Sequence, residues 1–251
     1  VTYRHETVRG AYGDLASGAV LRSAPGFPAF PVRLASEVLQ TALELRPTSA
    51  PATVWDPCCG SGYLLTVLGL LHRPSLAGLL ASDVDEAALD LARANLGLLT
   101  GAGLDTRARE LAQRAEAFDK PHYAEAAAAA HRLRARLDAA GGPLPYAVRR
   151  ADVFDRVALT EAVAGMTPDL VVTDLPYGEQ TSWQGERAGE GLPGMLTGVA
   201  SVLPPTGVLA VVLRGRKVPP VGEVRPRRRL RVGTRAAAFF VAGDLTGVSA
   251  L

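Results

Sequence analysis

Cysteine is nearly absent from this 251-residue sequence: there are two, and they are neighbours, Cys58 and Cys59. Adjacent cysteines cannot close a relaxed disulfide, and no further cysteine exists to complete a zinc site. A disulfide-stapled scaffold is excluded, and no metal is expected. Also missing is any apolar run near the roughly 20 residues that a membrane helix needs. The opening stretch, VTYRHETVRG, lacks the charged-then-apolar order of a secretory signal. A reducing cytoplasm is therefore the expected compartment, with no membrane partner. No internal repeat is evident and no surplus apolar face stands out, so a monomer is expected.

What is present has a globular balance. Hydrophobic residues make up 48% of the chain and charged residues 21%, enough for a substantial core. Short β-type runs alternate with helical stretches, the pattern of a parallel sheet with crossover helices. Strands are predicted at 53–56, 79–83, 146–150, 169–174 and 207–213, with a closing antiparallel pair at 229–233 and 236–242. Helices are predicted at 63–72, 86–100 and 191–203; in the second, Leu89, Ala92, Leu96 and Leu99 recur at helical spacing. Two segments stand outside the alternation. Residues 1–50 form an N-terminal extension, helical from Val32 to Leu45 after the turn-rich SAPGFPAFP. Residues 102–142 form an Ala-, Arg- and Glu-rich insertion of strong helix propensity, expected to make two helices broken near Asp119-Lys120-Pro121. One domain spanning 1–251 is expected.

The first predicted strand runs into D-P-C-C-G-S-G, where Gly60 and Gly62 permit a tight turn that lets a ligand approach the backbone. Twenty-one residues after Gly62 stands Asp83, in A-S-D-V-D, placed to accept hydrogen bonds from both hydroxyls of a ribose. Asp85 is the alternative ribose ligand, but it is expected to cap the following helix. A dinucleotide site would want a third glycine and no acid before the loop. Asp56 precedes the glycines, and a carboxylate there repels pyrophosphate and attracts a cation. S-adenosylmethionine, with a sulfonium, an ammonium and no phosphate, fits that charge. Asp56 could otherwise be a carboxylate stabilised at a helix start. After the third strand, Asp152 is placed to accept an adenine amino group, with Val153 or Phe154 flanking the ring; an acid there is also a common turn or helix cap. Pro57, Cys58 and Val84 complete the expected cofactor set.

The sharpest local motif is Asp174-Leu175-Pro176-Tyr177-Gly178, directly after the strand DLVVTD. The proline biases Leu175 away from helical geometry, which can aim its carbonyl and the Asp174 side chain into one cavity. Two acceptors beside a cationic methyl donor suit an exocyclic amine: they draw the nitrogen toward tetrahedral geometry and free its lone pair for attack. Tyr177 offers a ring on which an extruded base can stack. Read without its context, D-L-P-Y is an ordinary turn.

In this order, D-P-C-C-G-S-G, A-S-D-V-D and D-L-P-Y-G resemble the successive motifs of class I S-adenosylmethionine-dependent methyltransferases. The last is similar to the N/D-P-P-Y motif of enzymes that methylate base amino groups, with Leu175 in place of the commoner proline. Its L-P-Y-G form resembles that of RNA guanine-N2 methyltransferases. The whole chain, including the insertion and G-E-Q-T-S-W at 178–183, resembles the avilamycin-resistance 23S rRNA methyltransferases. The resemblance implies a Rossmann-like α/β fold with a mostly parallel seven-stranded sheet. It implies S-adenosyl-L-methionine as cofactor and 23S ribosomal RNA, or the large subunit, as partner. The implied product is an N2-methylguanine that weakens antibiotic binding to the ribosome. Asp56, Gly60, Gly62, Asp83 and Asp152 then take cofactor roles, and Asp174, Leu175, Pro176 and Tyr177 catalytic ones, with Asp174 shared between the two sites.

Net charge is only +2, but from Arg214 to Arg235 there are nine basic residues and a single acid, Glu223. Arg214, Arg216, Lys217, Arg225, Arg227, Arg228 and Arg229 are the candidate phosphate contacts; Arg231 and Arg235 complete the run. A solvated basic loop would carry the same charges. Three functions of different class remain open on these residues: guanine-N2 methylation in rRNA, methylation of adenine N6 or a protein glutamine amide, and a non-catalytic RNA-binding scaffold. The basic segment argues against a protein substrate, and the intact Asp174–Tyr177 loop argues against the scaffold.

Overall fold

The computed structural model describes residues 3–8, 10–15, 18–175 and 188–246. Five parallel strands form the body of one sheet: β1 (Ala52–Asp56), β2 (Leu76–Asp83), β3 (Tyr146–Arg150), β4 (Leu170–Asp174) and β5 (Val208–Arg214). Two antiparallel strands, β6 (Arg228–Val232) and β7 (Arg235–Val241), close one side. The sheet order is β3-β2-β1-β4-β5-β7-β6, so the chain reverses direction of travel between β1 and β4. In an open α/β sheet that switch point is where a ligand crevice forms, outside the carboxyl ends of the strands.

Alternation along the strands divides the core. Val54, Leu170, Val172, Ala210, Val212 and Phe239 pack on one face, while Trp55, Val171, Leu209, Val211 and Phe240 pack on the other. The first face is covered by α1 (Val32–Leu43), α2 (Tyr63–Leu71) and α3 (Glu86–Leu96); the second by α6 (Arg156–Val163), α7 (Gly191–Ala200) and the short α8 (Ala242–Leu245). Trp55 buries its ring completely and donates its indole N–H to Ser82 Oγ at 2.9 Å, so β1 and β2 are also joined through side chains.

The insertion forms α4 (Gly101–Phe118) and α5 (Pro121–Ala139), with Asp119 in the left-handed conformation at the break. Leu104, Ala108, Ala130, Leu133 and Leu137 join the core of the first face. The buried Arg107 donates to the carbonyls of Val20 and Ala19, and Arg132 pairs with Asp14, tying the insertion to the N-terminal segment. α1 in turn anchors the start of the chain. Glu37, 1% exposed, accepts the backbone N–H groups of Arg4, His5 and Glu6.

Several boundaries differ from expectation. Strand β2 begins three residues early, because Leu76 already pairs with Ala52. The helix expected over 86–100 ends at Leu96 and continues as a 3-10 turn over Gly97–Leu99. Helix α6 was not foreseen; its start is marked by Asp155, whose side chain accepts from the N–H groups of Val157 and Ala158. Between β5 and β6 the described residues contain no helix, only an isolated bridge from Val221 to Val224.

Candidate active site

The carboxyl ends of the parallel strands carry four acids: Asp56 closes β1, Asp83 closes β2, Asp152 follows β3 and Asp174 closes β4. They surround a cavity of about 370 Å³, within the range of small-molecule sites. Pro57, Cys58, Cys59, Gly60, Val84, Asp85, Val153 and Leu175 share its wall. Among the described residues, no lysine, arginine or histidine lines it. This charge pattern is hostile to pyrophosphate and favourable to a cation, so the donor set fits S-adenosylmethionine and not a dinucleotide.

Local geometry explains each position. Asp83 Oδ2 accepts from the Gly60 N–H at 2.8 Å and Oδ1 from the Asp85 N–H at 3.1 Å. The carboxylate is thus fixed by the loop and keeps lone pairs for a ligand. Asp85 accepts from Ala87 N–H at 2.9 Å and caps α3, as expected. Asp152 Oδ1 accepts from Phe154 N–H at 2.9 Å. Gly60 lies at φ +50°, a conformation that glycine adopts without strain. Gly62 does not line the cavity. It sits at φ +68° as the first residue before α2, and a Cβ there would come within 3.0 Å of Ala92 Cα and Cβ. Close packing of α2 against α3 accounts for the glycine here, and the structure does not set it on the cavity wall where a cofactor residue was expected.

Burial shapes the acids. Asp56, 2% exposed, is pushed up to about 7 by burial and by the neighbouring charges of Asp83 and Asp174. Burial also raises Asp83. Asp174 is raised by burial although Arg235 and Arg214 pull it the other way. The Cys58 and Cys59 thiols are pushed well above the ordinary thiol range, again by burial, so neither is an activated nucleophile.

Asp174 is not free. Arg235 Nη1 donates to both of its oxygens, at 2.6 and 2.8 Å, and the Arg235 guanidinium lies 4.8 Å from the centre of the Phe30 ring. Leu175 follows with its N–H bonded to the Val212 carbonyl at 2.8 Å. Pro176, Tyr177 and the stretch 178–183 lie outside the described residues.

The N-terminal extension supplies a wall that the motifs did not reveal. Gly26, Phe27, Pro28 and Phe30 line the cavity, and Phe27 lies against Gly60. Buried Asn95 holds this wall to the loop: its amide donates to the carbonyls of Ser61 and Arg22 and accepts the Arg22 N–H. No local signal marks these residues, apart from aromatic side chains in a turn-rich stretch.

The basic segment is dispersed by the fold. Arg227 pairs with Asp244 and Arg228 with Glu44, so neither is the free cation that was expected. Arg235, one of the nine basic residues, is turned inward to Asp174. Arg214, Arg216, Lys217, Arg225, Arg229 and Arg231 remain exposed; Arg214 ends β5, close enough to influence Asp174, and Arg229 and Arg231 share one side of edge strand β6.

A Rossmann-like sheet of order 3-2-1-4-5-7-6, with an acid-lined cavity at its switch point and a carboxylate at the end of β4, defines a class I methyltransferase. Residues 1–235 match the family model of the rRNA methyltransferase AviRa, and the chain belongs to that family. It is 56% identical over 243 residues to the 23S rRNA (guanine(2535)-N(1))-methyltransferase of Streptomyces viridochromogenes, covering 97% of each chain. Two solved structures of the rRNA methyltransferase AviRa from that organism superpose with a TM-score of 0.92 each. They are 53% and 55% identical and cover 98% of this chain and 99% of theirs.

Proposed function

We propose that this chain transfers a methyl group from S-adenosylmethionine to N1 of a guanine in 23S rRNA. The N2 position implied by the L-P-Y-G motif gives way here, because the relative at 56% identity is named for N1. The two atoms demand different chemistry. An exocyclic amine needs its lone pair freed from the ring, whereas N1 has no available pair until its hydrogen leaves as a proton. A carboxylate that is only an acceptor suffices for the first; the second requires a base. Asp174 carries the proposal: a carboxylate at the cavity wall beside the expected methyl donor, whose hold on a proton is raised by burial.

Asp83 would hold the ribose, Asp152 the adenine amino group with Val153 against the ring, and Asp56 the cationic end, while Gly60 leaves room for close approach. When bound, S-adenosylmethionine supplies an electrophilic methyl group whose departure leaves a neutral thioether. Asp174 takes the N1 proton before methyl transfer, since the attacking in-plane pair is the one that proton occupied. Phe27, Pro28 and Phe30 shield the cavity from water. The exposed arginines around Arg214 and along β6 would engage RNA phosphates, leaving Tyr177 for base stacking. Acting on 23S rRNA, the enzyme would work in the cytoplasm, and a methylation that weakens antibiotic binding to the ribosome would confer resistance of the avilamycin type.

The test is transfer of radiolabelled methyl to 23S rRNA and to large subunits, followed by digestion to nucleosides. 1-Methylguanosine is the expected product. N2-methylguanosine would restore the amine reading, and 6-methyladenosine or label in protein would overturn the proposal. Growth of a sensitive host expressing the enzyme, with and without avilamycin, reads the resistance separately.

A further inference from the structure

Arg235 lies outside every motif that marks the site, yet it is the side chain that engages the central carboxylate. It is 7% exposed, on β7, next to β5 and across the sheet from the cofactor strands. Nη1 alone makes both bonds to Asp174, and the guanidinium carbon lies over the Phe30 ring, 4.8 Å from its centre. No described residue takes a hydrogen bond from Nε or Nη2. Arginine has five N–H donors in a fixed fork, and a carboxylate has about four acceptor sites, so both partners retain capacity after pairing with each other. Asp174 and Phe30 line the cavity, and Arg235 stands directly behind them, in contact with both.

We propose that Asp174 and Arg235 form one recognition face for the guanine edge, in which the carboxylate accepts N1–H and N2–H and the remaining Arg235 donors hold O6. The inference rests on the guanine-N1 reading and deepens it. Adenine presents the wrong order to this face, with a donor at position 6 and an acceptor at N1, so the pair would select guanine by mismatch as well as by match. The same contact assists the chemistry. As the N1–H bond breaks, the proton passes to an Asp174 oxygen, its electron pair stays in the ring plane on N1, and the π electrons of N1 shift through C6 toward O6. Negative charge on O6 then faces the guanidinium, a cation already oriented for it. The N1 pair forms the bond to the methyl carbon, and the electrons of the broken methyl–sulfur bond stay on the thioether.

The rival role for Arg235 is that of a plain counterion to Asp174. Binding separates the two without any turnover. RNA fragments would carry guanine, inosine or 2-aminopurine at the methylated nucleotide, located by the reverse-transcription stop that N1 methylation causes by blocking base pairing. Inosine keeps N1–H and O6 but lacks the amine; 2-aminopurine keeps the amine but lacks O6 and N1–H. Wild-type protein should prefer guanine over 2-aminopurine by roughly 5- to 150-fold, the range of a good bidentate base contact. In Arg235→Gln that preference should shrink to the part set by the Asp174 contact to N1–H, while the smaller preference for guanine over inosine, also set by Asp174, persists. Equal weakening toward all three fragments would make Arg235 a counterion only and overturn the proposal. Should Arg235→Gln fail to fold, Arg235→Lys keeps a charge for Asp174 but loses the planar fork, and an unchanged guanine preference in it would equally overturn the idea. A product other than 1-methylguanosine in the digestion experiment would instead mark failure of the underlying reading.

Discussion

Replacing Asp174 by asparagine separates the two chemistries open to its carboxylate. Asparagine keeps the shape and one carbonyl acceptor but cannot take a proton, and it leaves Arg235 without its counterion. The side chains of Asp174 and Arg235 are 28% and 8% exposed, and the pair is joined at 2.6 Å. Removing one partner of a fully buried pair costs about 3–5 kcal/mol; with Asp174 over a quarter open to solvent, about 1–3 kcal/mol is expected. That corresponds to a fall in Tm of roughly 2–12 °C for a chain of this length. Turnover should fall much further, by about 10²–10⁴-fold, the worth of a positioned base. Asp174→Ala gives the comparison. If the residue only clamped an amine, asparagine would outperform alanine through its carbonyl; as a proton acceptor it should not, and the two variants should lose alike. The assay is single-turnover methylation of saturating large-subunit RNA, at a temperature where circular dichroism shows both variants folded. Asparagine turnover within about tenfold of wild type would refute the assignment of Asp174 as base.

Three further outcomes follow from the same geometry. Because Asp56 sits near 7 in the ligand-free protein, a cationic ligand must expel a proton below that pH; affinity for S-adenosylmethionine should drop up to about tenfold per pH unit below it, with proton release measurable by calorimetry in buffers of different ionisation heat. The sign for stability is the reverse of the usual carboxylate: ionising Asp56 costs the fold, so its contribution falls as pH rises from about 4 to about 7, and Asp56→Asn should lack that slope in Tm. Gly62→Ala should destabilise by about 2–4 kcal/mol, from the left-handed backbone and the Ala92 contact, without changing cofactor affinity in the folded fraction; a weakened affinity measured below the melting range would return Gly62 to the ligand site. Neutralising Arg229 and Arg231 together should lower the log–log salt slope of RNA binding by about 1.4, while neutralising the ion-paired Arg227 and Arg228 should change it less; the opposite ranking would show that the paired arginines exchange carboxylate for phosphate.

The alternation of short apolar strands with helices was legible in the residues, as were the acids at strand ends, because each depends on contacts within a few positions of chain. D-P-C-C-G-S-G, A-S-D-V-D and D-L-P-Y-G declared an acid-lined α/β site in that way, and Asp85 declared its helix cap. The target atom was not legible: an acceptor for an amine and a base for N1 are the same aspartate in sequence, and they differ only in environment. Tertiary structure alone decided the rest. It seated Phe27 against a loop some thirty residues away in sequence and Phe30 in the cavity wall, and it set Gly62 in the packing of two helices. It also broke up a run of arginines that composition had joined. Strand pairing of β7 with β5 brought Arg235 to Asp174, 61 positions earlier, while its neighbours in the run met carboxylates at the end of α1 and on α8 or stayed in solvent. Charge along a chain is additive, but the field at a site depends on distance and burial, and both are set only when the sheet is assembled.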